Sequence, residues 1–216
     1  RQGLLAYVFP DSPVKPPSSG LDEIGLRDGS LFFGKVRFET GKVVLDRSDQ
    51  EPLLVPWEKL HYLIRSGKET FWLNGLASSS LESHGPLGPG EGVLSMDYRR
   101  ANEPSLFALR VLPKTRLSYR IPTGFPAGKT LLQTHLAPLP NSRGTVTFTL
   151  SVGGKEFYRK RFAPDSIPEK LSIPLPKGDE LTVGVDFEER IVYPCGVDMH
   201  DAHLAVADIV KEGNPK

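Results

Sequence analysis

The chain of 216 residues carries 21 glycines and 20 prolines, about one residue in five, and that density of helix breakers leaves room for few long helices. Lys and Arg number 27 against 26 Asp and Glu, with 38% hydrophobic and 25% charged residues; this is a globular rather than a disordered composition, and it lacks the basic excess of a dedicated nucleic-acid binder. The single Cys195 excludes an internal disulfide, and no run approaches the roughly 20 apolar residues of a membrane-spanning helix.

No secretory leader is legible, and the chain opens at Arg1 rather than Met, as expected of a processed form or a piece of a longer polypeptide. Residues 1–20 read as one strand, Leu4 to Phe9, and an extended linker with Pro10, Pro13, Pro16 and Pro17. From Leu21 the pattern changes to short strands. Asp28-Gly29 marks a hairpin whose turn requires positive φ at both central residues. Beyond it Val36 and Phe38 alternate with Lys35, Arg37 and Glu39, the period of a half-buried strand. Thr40-Gly41 then turns the chain into Val43–Leu45, followed by runs at Leu53–Val55 and Leu60–Ile64. Four or five strands in under fifty residues predict a small, strongly bent barrel.

Residues 66–104, rich in Gly, Ser and Pro, read as a long irregular stretch of the kind that carries function or wraps a core. After it the alternation is clearest. Val146, Phe148, Leu150 and Val152 share one face of a strand and Thr145, Thr147, Thr149 and Ser151 the other. Gly153-Gly154 then makes a two-residue hairpin into Lys155–Phe162. The same period runs through Leu117, Tyr119 and Ile121, through Leu171, Ile173 and Leu175, and through Leu181, Val183, Val185 and Phe187. Strands spaced this regularly predict an all-β sandwich or jelly roll.

From about Phe71 to Asp208 the chain resembles the NPCBM family of carbohydrate-binding modules. The residues that carry the likeness are Trp72-Leu73-Asn74-Gly75-Leu76, Arg116-Leu117-Ser118-Tyr119-Arg120-Ile121-Pro122, the hairpin from Gly144 to Lys155, and Asp198-Met199-His200-Asp201-Ala202-His203-Leu204. It departs in two places. Arg110-Val111-Leu112-Pro113 stands where the family has a Gly-Val-His stretch, and Met199 where it has Trp. Residues 21–66, through Leu26-Arg27-Asp28-Gly29-Ser30-Leu31 and Gly34, are similar to the SH3-like barrel that accompanies such modules. The resemblance implies a galactose-binding-like jelly-roll β-sandwich over 67–212, a small N-terminal SH3-like β-barrel over 21–66, and a strand and linker over 1–20. It also implies a non-catalytic carbohydrate-binding module of a larger exported bacterial protein, periplasmic or extracellular, whose partners are a glycan or other domains of the same polypeptide. The alternative is a structural or protein-interaction domain that keeps the sandwich without the sugar site.

Sugar recognition needs aromatic faces and planar polar groups on loops, and the loop-rich candidates are Tyr98, Arg99, Arg100, Tyr193, Asp198 and His200. Against this stands a plainer reading in which the tyrosines cap the core and the charges are solvated. Asp198, His200, Asp201 and His203 are metal-ligand types at close spacing, yet a regular strand divides them between two faces. A structural calcium on Asp198 or Asp201 is the one cofactor this reading admits. No Gly-x-Ser-x-Gly elbow, dinucleotide fingerprint or phosphate loop is present, and Asp186, Glu188 and Glu189 crowd one strand end instead of facing each other. Cys195, between Pro194 and Gly196, reads as a buried or loop cysteine. Tyr158-Arg159-Lys160-Arg161-Phe162 mixes cations with rings, but as a strand it places Arg159 and Arg161 on one face and Lys160 on the other. Residues 21–65 show no aromatic platform for RNA or peptide.

Overall fold

The computed structural model describes residues 21–48, 50–64, 70–73, 78–84, 92–97, 105–188 and 191–206, and among them there is no α-helix. Five antiparallel strands come first: β1 (Asp22–Leu26), β2 (Leu31–Glu39), β3 (Lys42–Arg47), β4 (Gln50–Pro56) and β5 (Leu60–Ile64). They form one sheet in the order β4-β3-β2-β1-β5, so the last strand returns to pair with the first. Ile24, Val36, Val43, Leu45 and Val55 make its core. The hairpin between β1 and β2 differs from the expected two-residue turn. Leu26 N–H bonds the Ser30 carbonyl at 2.9 Å across a longer loop, and only Gly29 has positive φ, because a longer loop needs one left-handed residue where the tight turn needs two.

The 66–104 stretch, expected to be irregular, supplies β6 (Thr70–Trp72), β7 (Ser80–Ser83) and β8 (Val93–Asp97). Each is too short to show a period of its own. Each is ordered instead by a longer partner, respectively β16 (Val197–Val206), β10 (Thr115–Arg120) and β9 (Phe107–Val111). With β11 (Thr130–Pro138), β12 (Val146–Val152), β13 (Lys155–Phe162), β14 (Glu169–Pro174) and β15 (Glu180–Phe187), these strands make two sheets. The front sheet runs β13-β12-β15-β10-β7, and the back sheet runs β14-β11-β16-β9-β8 with β6 also paired to β16.

The sheets close on one apolar core as a sandwich. Val146, Phe148, Leu150 and Val152 of β12 and Leu181, Val183 and Val185 of β15 point inward from the front, and Leu132, Leu136, Val197, Met199 and Leu204 from the back. Phe148 is fully buried and meets Tyr158 and Phe162 edge-on at 6.2 and 6.3 Å, a favoured ring geometry. Gly153 and Gly154 both take positive φ, as the tight hairpin into β13 requires. Lys160 on β13 pairs with Glu169 on β14, tying the two sheets at one edge, while Arg159 and Arg161 stand opposite Thr149 and Thr147 on the outer face.

A third apolar cluster joins the first sheet to the sandwich: Tyr62 and Ile64 of β5 with Phe107 of β9, flanked by Trp72 and Leu106. The Tyr62 hydroxyl donates to buried Glu23 at 2.7 Å, and its ring lies where a Cβ on Gly25 would come within 2.2 Å. Only glycine fits there. No helix among the described residues is long and apolar enough to cross a membrane.

Truncating Phe148 to alanine removes the ring on which both sheets pack, and should cost about 3–5 kcal/mol in urea-induced unfolding. Ile167→Ala, at a position 83% exposed, should stay within about 0.5 kcal/mol of the parent.

Candidate functional site

Because the inner rows of the front sheet are apolar, its outer rows are free to be polar, and they line a groove of about 660 Å³. Register assembles the floor from strands far apart in sequence. One transverse row reads Arg159, Thr149, Gly184, Arg116 and Glu82 across β13, β12, β15, β10 and β7. Beside the groove, on the same outer face, a second row reads Ser151, Thr182, Ser118 and Ser80, in which the Ser118 and Thr182 hydroxyls share a hydrogen bond of 2.8 Å. Directly opposed residues on one face lie within interaction range, so each row is a contiguous polar strip.

Charges in the groove are mostly matched within it. Lys114 pairs with Asp186 at 2.9 Å, and Glu188 accepts a hydrogen bond from the Thr147 hydroxyl. Arg159 grips Glu156 with two N–H groups at 2.8 and 2.7 Å. That hydrogen bond and the attached positive charge hold the Glu156 carboxyl below the usual carboxylate range. Gly184 carries no side chain, and the Thr149 hydroxyl takes the space above it, 2.6 Å from where a Cβ would stand. Phe187 stands at one end and meets Tyr193 edge-on at 5.2 Å.

The sequence-selected residues are dispersed. Tyr98, Arg99 and Arg100 lie outside the described residues. Tyr193 sits beside the end of the groove, its hydroxyl buried with no hydrogen-bond partner among the described residues and its acidity weakened, first by burial and then by neighbouring Cys195. Asp198 and His200 belong to the outer face of the back sheet, across the core from the groove. Asp198 is 3% exposed, and both its carboxylate oxygens accept hydrogen bonds from Arg110 at 2.9 Å. The departures from the resembled family therefore have a structural use. Arg110 neutralises Asp198, and Met199 fills the core with no exposed surface.

The chain does bend within the 198–203 cluster. Asp201 has φ of 50° and bulges from β16, so Val197 and Met199 before it and Ala202 and Leu204 after it all reach the core. His203 consequently shares the outer face with Asp198 and His200, where a regular strand would have opposed them. The four side chains are nonetheless committed elsewhere. Asp201 Oδ1 accepts from the Leu106 and Phe107 amides, His200 Nδ1 meets Ser105 Oγ at 3.0 Å, and His203 Nδ1 meets the Asp201 carbonyl at 2.7 Å. Among the described residues no three His, Cys, Asp or Glu side chains gather as a metal site.

Two features escaped the sequence. The groove joins residues about a hundred positions apart, and local pattern carries no trace of it. The second is an aromatic pair where none was expected: Phe38 of β2 and Trp57, in the 3-10 turn between β4 and β5, stack at 5.8 Å with planes 11° apart, 52% and 45% exposed. Phe38 has the parity of core-facing Val36 but lies past the end of that core. Cys195 is fully buried, and burial pushes its thiol up to about 11.

No family model matches the chain, and no curated protein sequence matches it. Among solved structures it is similar to the CBM51 module of a Clostridium perfringens GH95 protein in complex with methyl-galactose, with a TM-score of 0.51 at 11% identity over 63% of this chain and 99% of that one. It is similar to the M60 catalytic domain of Clostridium perfringens ZmpB with its CBM51-1 and CBM51-2 domains, with a TM-score of 0.51 at 14% identity over 86% of this chain. It is likewise similar to ZmpB CBM51-2 in complex with GlcNAc and the INT domains, with a TM-score of 0.50 at 14% identity over 85% of this chain. The chain spans 20% and 40% of those two longer chains. At such identities the likeness is one of fold: an all-β sandwich of the galactose-binding-like kind.

Arg110→Ala strands a buried carboxylate and should cost about 3 kcal/mol in denaturant unfolding, most of it recovered when Asp198→Leu is added. The Cys195 thiol at pH 8 should react with a soluble disulfide reagent about a hundredfold or more slowly in the folded protein than in denaturant.

Proposed function

We propose that this chain is a non-catalytic carbohydrate-binding module of a larger exported protein, residing in the periplasm or outside the cell, and that its sugar sits in the outer-face groove of the front sheet. The observation that carries this reading is the groove itself. Hydroxyls, carboxylates, guanidinium groups and an ammonium line a concave strip of about 660 Å³, which suits the many hydroxyls of a saccharide. The fold supports the reading as well, since similar modules are solved with methyl-galactose and with GlcNAc. On this view residues 21–66 are an SH3-like barrel docked through Tyr62, Ile64 and Phe107, and residues 67–212 form the binding sandwich.

The chemistry of the groove supports binding over catalysis. A glycosidase needs one carboxyl kept protonated as general acid. Arg159 drives Glu156 the opposite way, and Lys114 is paired to Asp186. A thiol pushed up to about 11 is equally unsuited to nucleophilic attack.

A second reading, a protein-interaction domain without a sugar site, is favoured by the exposed Phe38–Trp57 stack, which lies on the first sheet away from the groove. A glycan array followed by calorimetry separates the two. The module reading predicts millimolar or tighter binding to at least one glycan, weakened about tenfold by Asp186→Ala. No binding by the folded protein to any glycan at millimolar concentration would overturn it in favour of the interaction domain.

A further inference from the structure

We propose that the groove selects a carboxylated saccharide, a uronate-bearing chain, whose carboxylate lies over Gly184 and is held by the guanidinium of Arg116; this rests on reading the groove as a sugar site. The placement follows from register. Arg116 on β10 and Thr149 on β12 flank Gly184 on β15 from either side, each one strand away, which is about 4.8 Å. The glycine adds no side chain between them, and the Thr149 hydroxyl leans over it, 2.6 Å from where a Cβ would stand.

The balance of charge favours a carboxylate over other ligands. Lys114 is paired with Asp186, and Arg159 is gripped twice by Glu156. Arg116 has no hydrogen bond or ion pair among the described residues, although Glu82 stands directly opposite it on β7. Glu82 lies on the far side of Arg116 from Gly184, so a ligand over the glycine approaches the guanidinium from the unoccupied side. One uncommitted guanidinium fork matches the planar, singly charged carboxylate, which it meets with two parallel N–H bonds. A phosphate or densely sulfated chain calls for several uncommitted cations, and here Glu82, Asp186 and Glu188 around the rim repel excess negative charge. Those same rim carboxylates accept hydrogen bonds from the hydroxyls of neighbouring sugar rings.

The test is calorimetry of the full chain with an oligogalacturonate and with the neutral galactan oligomer of equal length. The uronate should bind about tenfold tighter or more, and added salt should weaken it while barely touching the neutral chain. Arg116 is exposed, so its replacement leaves the fold intact. Arg116→Gln should cost the uronate about tenfold and the neutral oligomer less than about twofold, with Arg116→Lys recovering only part, since an ammonium lacks the fork. Equal affinity for the two oligomers, or equal losses on Arg116→Gln, would overturn the uronate assignment and leave the sugar reading standing. Absence of binding to either oligomer, with glycan-array binding elsewhere, would also overturn it; absence of binding to every glycan would remove both.

Discussion

The inner rows of β12 and β15 govern the rest of the structure. Phe148 and Leu150 stand opposite Val185 and Val183, and all four are buried to within 2%. In a strand every second side chain must point the other way. Burying these rows therefore commits Thr147, Thr149, Ser151, Thr182, Gly184 and Asp186 to the opposite face, and the groove exists because the core does. In the proposed function, stability and recognition are thus divided between two faces of the same strands. A single-residue slip of register would exchange them.

How much of this was legible in the sequence depends on how local each signal is. The β12–β13 hairpin was readable because Gly153-Gly154 and an unbroken alternation lie within twenty residues, and the positions of Arg159, Lys160 and Arg161 followed from period two alone. The strands β6, β7 and β8 were not readable, since three to five residues cannot display a period and pairing with distant strands orders them. The bulge at Asp201 hid for another reason. Aspartate tolerates the left-handed region without advertising it, and the consequence, His203 joining the face of Asp198 and His200, appears only once Ala202 and Leu204 are seen in the core.

The candidate site illustrates the same limit. Residue type pointed to tyrosines and charges in loops, and of these the structure places Asp198 against Arg110 on the outer face of the back sheet. The groove draws on residues from Glu82 to Glu188, a set that the order β13-β12-β15-β10-β7 brings together. The first sheet adds a distinct contribution. Its Tyr62 and Ile64 pack on Phe107 of the sandwich while Phe38 and Trp57 remain exposed, so one part of that sheet is spent on the junction and another is open to solvent.

The central claim is that ligand sits on the outer face of the front sheet. It is tested most directly by following backbone amide resonances of the labelled protein during titration with an oligogalacturonate. Shifts gathered on Thr149, Gly184, Arg116 and their neighbours across β12, β15 and β10 are the predicted result. Shifts confined to Asp198, His200 and the outer face of the back sheet would contradict the account.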